Sequence, residues 1–123
     1  MIKVDFLINC ENAFQTLGNN NLNLIGVFDV INTPGFPASH PYFCIVAKVT
    51  KDDDAEHEMS LKISKGATVI TQSPKEKFTE KNRLHISNMI NFQFPEEGEY
   101  SVTIVIDDED KETRHIQLNK VTL

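Results

Sequence analysis

Glu99-Tyr100-Ser101-Val102-Thr103-Ile104-Val105-Ile106 puts Tyr100, Val102, Ile104 and Ile106 on every second position. A period of two sends successive side chains to opposite faces of an extended strand, commonly one face buried and one wet. The stretch therefore reads as a strand from Glu99 to Asp107. Pro95-Glu96-Glu97-Gly98 forms a turn before it. An acidic turn, Asp108 to Asp110, follows, and Lys111 to Leu118 is the last strand.

The same rhythm extends back through the chain. Arg83 to Phe94 places Leu84, Ile86, Ile90, Phe92 and Phe94 on one face, with Asn88 marking a bulge. Ser73 to Asn82 is charged and turn-like. Ala67 to Gln72 is a short strand. Glu56 to Ser64 sets Met59, Leu61 and Ile63 against Glu58, Ser60, Lys62 and Ser64, and Lys65-Gly66 then gives a hairpin signal. Tyr42 to Thr50 puts Phe43, Ile45, Ala47 and Val49 on one face. Asn32 to Pro41 holds Pro34, Pro37 and Pro41, and reads as a long irregular connection between sheets.

Leu22 to Ile31 is apolar on both faces, which predicts a central strand covered on two sides, with a bulge or a close backbone approach at Gly26. Ile2 to Asn9 sets Ile2, Val4, Phe6 and Ile8 on one face. Leu17-Gly18-Asn19-Asn20-Asn21 is a turn, because Gly and Asn tolerate positive φ. A short helical turn at Glu11 to Thr16 is the one helical element expected. Eight short strands separated by turn signals predict a single all-β domain over 1–123, a sandwich or a barrel.

Composition narrows the partners. The chain has 123 residues, of which 37 are Val, Ile, Leu or Phe, enough for a buried core. Its formal charge of −6 repels phosphate backbones and anionic lipid surfaces, so neither nucleic acid nor a membrane is an expected partner. No apolar run reaches the ~18 residues of a membrane span. Met1-Ile2-Lys3-Val4-Asp5 does not read as a signal peptide, so a cytoplasmic location is expected. Cys10 and Cys44 then read as buried free thiols, a disulfide being the alternative; CxxC spacing for zinc is missing.

Three groups of segments resemble an uncharacterised bacterial family of small proteins known only as a domain of unknown function. They are Leu22-Asn23-Leu24-Ile25-Gly26-Val27-Phe28-Asp29, Phe36-Pro37-Ala38-Ser39-His40-Pro41, and Phe94-Pro95 with Gly98-Glu99-Tyr100. The resemblance implies a small β-sandwich, Ig-like or related, and carries no catalytic residues. With the strand pattern, it points to an antiparallel β-sandwich of seven to nine strands.

The acidic turns are the main candidate site. If strands alternate in direction, Cys10 to Asn21, Lys51 to Ala55, Ser73 to Asn82 and Asp108 to Asp110 share one end. Asp52, Asp53, Asp54, Asp107, Asp108 and Asp110 would gather there and could offer oxygens to calcium. EF-hand spacing is missing, and solvated turns are the default. His40, His57, His85 and His115 supply no evident third zinc ligand. Ser39-His40 are sequence neighbours, there is no GxSxG elbow, and Cys44 lies mid-strand among apolar residues, so no catalytic residue is expected. Tyr42 is the best candidate for a sugar platform. The expected function is a non-enzymatic binding or assembly module, pairing with a protein or with itself through an exposed strand edge and needing no cofactor. A calcium-dependent binding domain that uses the acidic end is the alternative.

Overall fold

The computed structural model describes residues 1–122. Among them ten strands and no helix form two sheets. The strands are β1 (Ile2–Gln15), β2 (Leu22–Val27), β3 (Val30–Thr33), β4 (Ala38–Lys51) and β5 (His57–Lys65), then β6 (Thr68–Gln72), β7 (Glu76–Phe78), β8 (Asn82–Phe94), β9 (Gly98–Ile106) and β10 (Glu109–Lys120). One sheet runs β2-β1-β4-β8. The other runs β3-β10-β9-β5-β6, with β7 also on β5. Every pairing is antiparallel except β3 with β10.

The two sheets close over one core. Phe43, Ile45, Ala47 and Val49 of β4 meet Met59, Leu61 and Ile63 of β5 and Tyr100, Val102, Ile104 and Ile106 of β9. The alternating sets on these three strands are the predicted ones, and the fold is the predicted sandwich, with ten strands where seven to nine were expected and one parallel pairing, β3 with β10. Tyr100 also ties the crossing from β8 to β9. Its hydroxyl donates to the Glu96 carbonyl at 2.6 Å and accepts from the Glu96 amide at 3.0 Å. Such a tyrosine corner is a device of immunoglobulin-type sandwiches.

Several local expectations are corrected. Glu11 to Thr16 is no helical turn: β1 continues to Gln15, paired with β2. The register with β4 shifts between Val4 and Phe6, so Asp5 is an extra residue in a bulge. Ile2, Val4, Leu7 and Asn9 consequently face inward, and Phe6, Ile8 and Cys10 face outward, opposite Lys48, Val46 and Cys44.

The expected central strand Leu22 to Ile31 is two edge strands. The chain leaves β1 at Val27 and crosses between sheets at Phe28 and Asp29. Phe28 donates its amide to the Asn9 carbonyl, and the Asp29 carbonyl accepts from the Gln117 amide. Gly26, at φ +67°, permits that departure. The proline-rich segment is shorter than expected. β4 already begins at Ala38, after the cis Phe36–Pro37 bond, and Pro41 lies within the strand. On β8 the face changes at Asn91, in the left-handed region at φ +52°, rather than at Asn88. Leu84, Ile86 and Ile90 therefore face outward, and Phe92 and Phe94 inward.

Two stability predictions follow from these contacts. Tyr100→Phe deletes a buried hydroxyl and leaves both Glu96 groups unpaired, so unfolding free energy in urea should fall by about 1–3 kcal/mol with the slope unchanged. Asn9 is fully buried, and its side-chain nitrogen and oxygen have no hydrogen-bond partner among the described residues. Asn9→Val should therefore raise stability by about 1 kcal/mol in the same measurement. A loss of stability would mean that the amide is satisfied.

Candidate functional site

Strand register decides which turns meet. Ile2 lies opposite Lys51, Thr50 opposite Asn82, His57 opposite Phe78 and Met59 opposite Ile106. The turns after β4, after β7 and after β9 therefore share one end of the sandwich, as expected from alternating strands. The turn after β1, Thr16 to Asn21, lies at the opposite end, because the chain reverses at Phe28 and Asp29: β2 and β3 run in opposite directions, which adds one strand to the count.

At this acidic end His57 bridges two turns. Its Nδ1 stands 2.6 Å from Asp107 Oδ2, and its Nε2 stands 3.1 Å from both Asp53 oxygens. Asp107 and Asp108 hold left-handed φ values of +51° and +64°, which form a tight two-residue hairpin turn. That turn is fixed to β5 by the Asp107 amide on the Glu58 carbonyl and by Asp107 Oδ1 on the Glu58 amide.

Asp53 also sits over the Lys51 ammonium, whose side chain is fully buried. Lys51 Nζ donates to the Asp53 carbonyl at 2.8 Å, the Ala55 carbonyl at 3.0 Å and Asp53 Oδ1 at 3.2 Å. These oxygens are of the kind calcium uses, and here a tethered ammonium engages them.

The other four carboxylates are dispersed over separate cations. Asp52 pairs with the Met1 amino group, Asp54 with Lys81, Asp108 with Lys75 and Asp110 with Lys62. The structure thus brings only Asp53 and Asp107 of the six onto one shared partner. Among the described residues, no group of three or more His, Cys, Asp and Glu side chains is arranged to hold a metal ion.

The electrostatics follow from this geometry. Hydrogen bonds to Asp107 and Asp53 raise the His57 pKa above its ordinary value. The His57 bond, helped by Lys51, lowers Asp53 to about 2, and Asp107 is lowered by His57 and by the Glu58 amide. With a carboxylate on each nitrogen, the imidazole has no free lone pair for base or nucleophile chemistry.

The remaining histidines are engaged elsewhere. His40 turns inward and stacks on Phe43 at 5.3 Å, away from exposed Ser39. His85 faces Glu76 at the β8 edge, and burial lowers its pKa. His115 stands on the outer side beside Glu99. Cys44 touches Tyr42 and Asn88 rather than a histidine. Where β6 and β8 part, a cleft of about 290 Å³ reaches Ile45, Leu61 and Ile63. Ser73 on its rim already accepts the Leu61 amide.

The two outer faces of the sandwich differ. That of the larger sheet carries Ser60, Lys62 and Ser64 on β5, and Ser101 and Thr103 on β9, with Thr103 bonded to Thr113. That of the four-stranded sheet carries a second apolar cluster, in which Cys10, Cys44 and Val46 are fully buried beneath Phe6, Ala13, Leu22, Leu24, Leu84 and Ile86. Tyr42 and Ile90 stand beside it, and Ile90 is 69% exposed. The sequence carries a signal for this face: Phe43 to Ala47 is apolar in both phases, where a strand with one wet face alternates.

The His57 bridge has a pH signature. The raised His57 pKa contributes stability below about 6.5 that is lost as pH rises through the folded value. The lowered Asp53 contributes stability above 3.8 that is lost as pH falls through about 2. Between these limits the bridge is strongest. His57→Gln should lower the urea midpoint more near pH ~5.5 than near pH ~8.5. An equal loss at both would show that the imidazole is not held charged.

Two solved structures share the fold. Part of the Pseudomonas fluorescens alkylpurine DNA glycosylase AlkC superposes with a TM-score of 0.57 at 9% identity, over 96% of this chain and 30% of that one. Part of a Listeria innocua β-glucosidase superposes with a TM-score of 0.54 at 8% identity, over 100% of this chain and 16% of that one. This chain thus spans less than a third of either protein, and the likeness is one of fold. No curated protein matches the sequence. A family model described as a family of unknown function, DUF6941, matches residues 5–119, and the chain belongs to that family.

Proposed function

We propose that this chain is a non-catalytic binding or assembly module that associates with a second copy through the outer face of its four-stranded sheet. The observation that carries this reading is the apolar layer of Phe6, Leu84, Ile86 and Ile90 on a face that is ordinarily wet in an antiparallel sandwich. Contiguous apolar surface on a folded domain marks a place of contact.

The margins of the face support the same reading. β2 is an edge strand from Leu22 to Val27, carries neither charge nor proline, and leaves Ile25 and Val27 about half exposed. Such an edge lacks the usual protections against strand pairing. The turn carboxylates Asp52, Asp53, Asp54, Asp107 and Asp108 gather at the end of the sandwich, so the net charge does not concentrate on this face. The non-catalytic part of the proposal rests on the engaged nitrogens of His57 and on a Cys44 with no histidine beside it.

Light scattering coupled to size exclusion tests the proposal. The wild type should elute as a multiple of 14.0 kDa. Ile90→Lys alters an exposed side chain outside the core and should return a monomer that still unfolds cooperatively, at a melting temperature that no longer depends on protein concentration. A wild type that stays monomeric across the accessible concentrations would remove the second-copy reading.

A further inference from the structure

Cys10 and Cys44 are direct cross-strand partners in the β1–β4 ladder. Directly opposed residues of an antiparallel pair point to the same face, with Cα atoms about 4.5 or 5.5 Å apart. A disulfide needs roughly 4.4–6.8 Å, so either kind of rung accommodates one without moving the strands. The rung is also the last between β1 and β4. Beyond Cys10, β1 pairs with β2 alone, and the hairpin extends past the β1–β4 ladder.

We propose that Cys10 and Cys44 are a reversible dithiol–disulfide pair, a modification site at which a small organic disulfide fastens the root of the β1–β2 hairpin to β4. The two sulfurs lie beneath the face assigned to self-association, but the strand pairing that carries this proposal does not rest on that reading. In the reduced form Cys44 Sγ turns toward Asn88 Oδ1 at 3.4 Å and the Tyr42 hydroxyl at 3.5 Å. Exchanging these two sulfur contacts for a bond to Cys10 leaves the 2.9 Å Tyr42–Asn88 hydrogen bond in place.

Both cysteines are fully buried, so the reagent enters when this terminal rung opens locally. Burial first, and then the adjacent Cys44, push the Cys10 thiol above its ordinary value.

The chemistry is thiol–disulfide exchange. One protein thiol loses its proton and attacks the small disulfide, releasing one small thiol and leaving a mixed disulfide. The second protein thiol loses its proton and displaces the other small thiol. Two electrons pass from the protein to the reagent: one protein S–S bond forms, the reagent's S–S bond breaks, and two small thiols carry the protons away.

The test is to incubate the folded protein with oxidised glutathione near pH ~8.5, where thiolate becomes available. Intact mass should fall by two hydrogens, peptide mapping should join Cys10 to Cys44, and dithiothreitol should reverse the change. The bridged protein should melt at least a few degrees higher than the reduced one. Cys10→Ala and Cys44→Ala should each abolish the mass loss, but the wild-type readout stands without them. Bridging seen only after urea unfolding, glutathione retained on either sulfur, a dithiol left unchanged, or a bridged form that melts no higher would each overturn the proposal.

Discussion

One constraint governs this sandwich: each strand must deliver an apolar side chain to the shared layer at every second residue. The pleat enforces that period, and a slip of one residue exchanges the faces. β5 and β9 obey it without interruption where they pair. β1 and β8 do not, and each carries a local repair. Asp5 bulges out so that Leu7 can follow Val4 into the core. Asn91 takes a left-handed conformation so that Phe92 and Phe94 can turn inward after Ile90. These repairs let both sheet faces gather apolar residues, and the outward cluster around Cys44 and Val46 is their consequence.

That constraint also explains what was legible in the sequence. Tyr100, Val102, Ile104 and Ile106 alternate without a break, so strand, face and central place in the core could be read from spacing alone. Met59, Leu61 and Ile63 behave the same way. Phe6 and Ile8 were misread because an even spacing hides a bulge: nothing in Val4-Asp5-Phe6 says that Asp5 is the extra residue. Leu22 to Ile31 misled for another reason. Apolar residues on both faces suit a strand covered on two sides, but they equally suit two short edge strands that divide between two sheets.

The acidic end was legible as a place and not as a chemistry. Alternating strand direction brings the turns after β4 and β9 together, and spacing along the chain suffices for that. The partners of the carboxylates come from elsewhere, and their arrival depends on tertiary register. Lys75 reaches Asp108 from the segment before β7, Lys81 reaches Asp54 from the turn before β8, and Lys62 on β5 reaches Asp110 on β10 across β9. Lys51 folds back beneath its own turn. Counting acidic residues along the chain registers the negative charge and misses the cations that the fold returns to it.

Burial of the two cysteines has a different origin from burial in the core. Core residues are covered by the opposite sheet. Cys10 and Cys44 lie on the outer side and are covered only by side chains of their own sheet, chiefly Phe6, Leu22, Leu24, Leu84 and Ile86, which are themselves only half-buried. A layer one side chain thick opens far more readily than a sandwich core, since few apolar contacts are lost when a side chain swings away. The same thin layer must be covered if a second copy binds, and that would slow entry of any reagent. Contact at this face and chemistry at its centre therefore compete for the same surface.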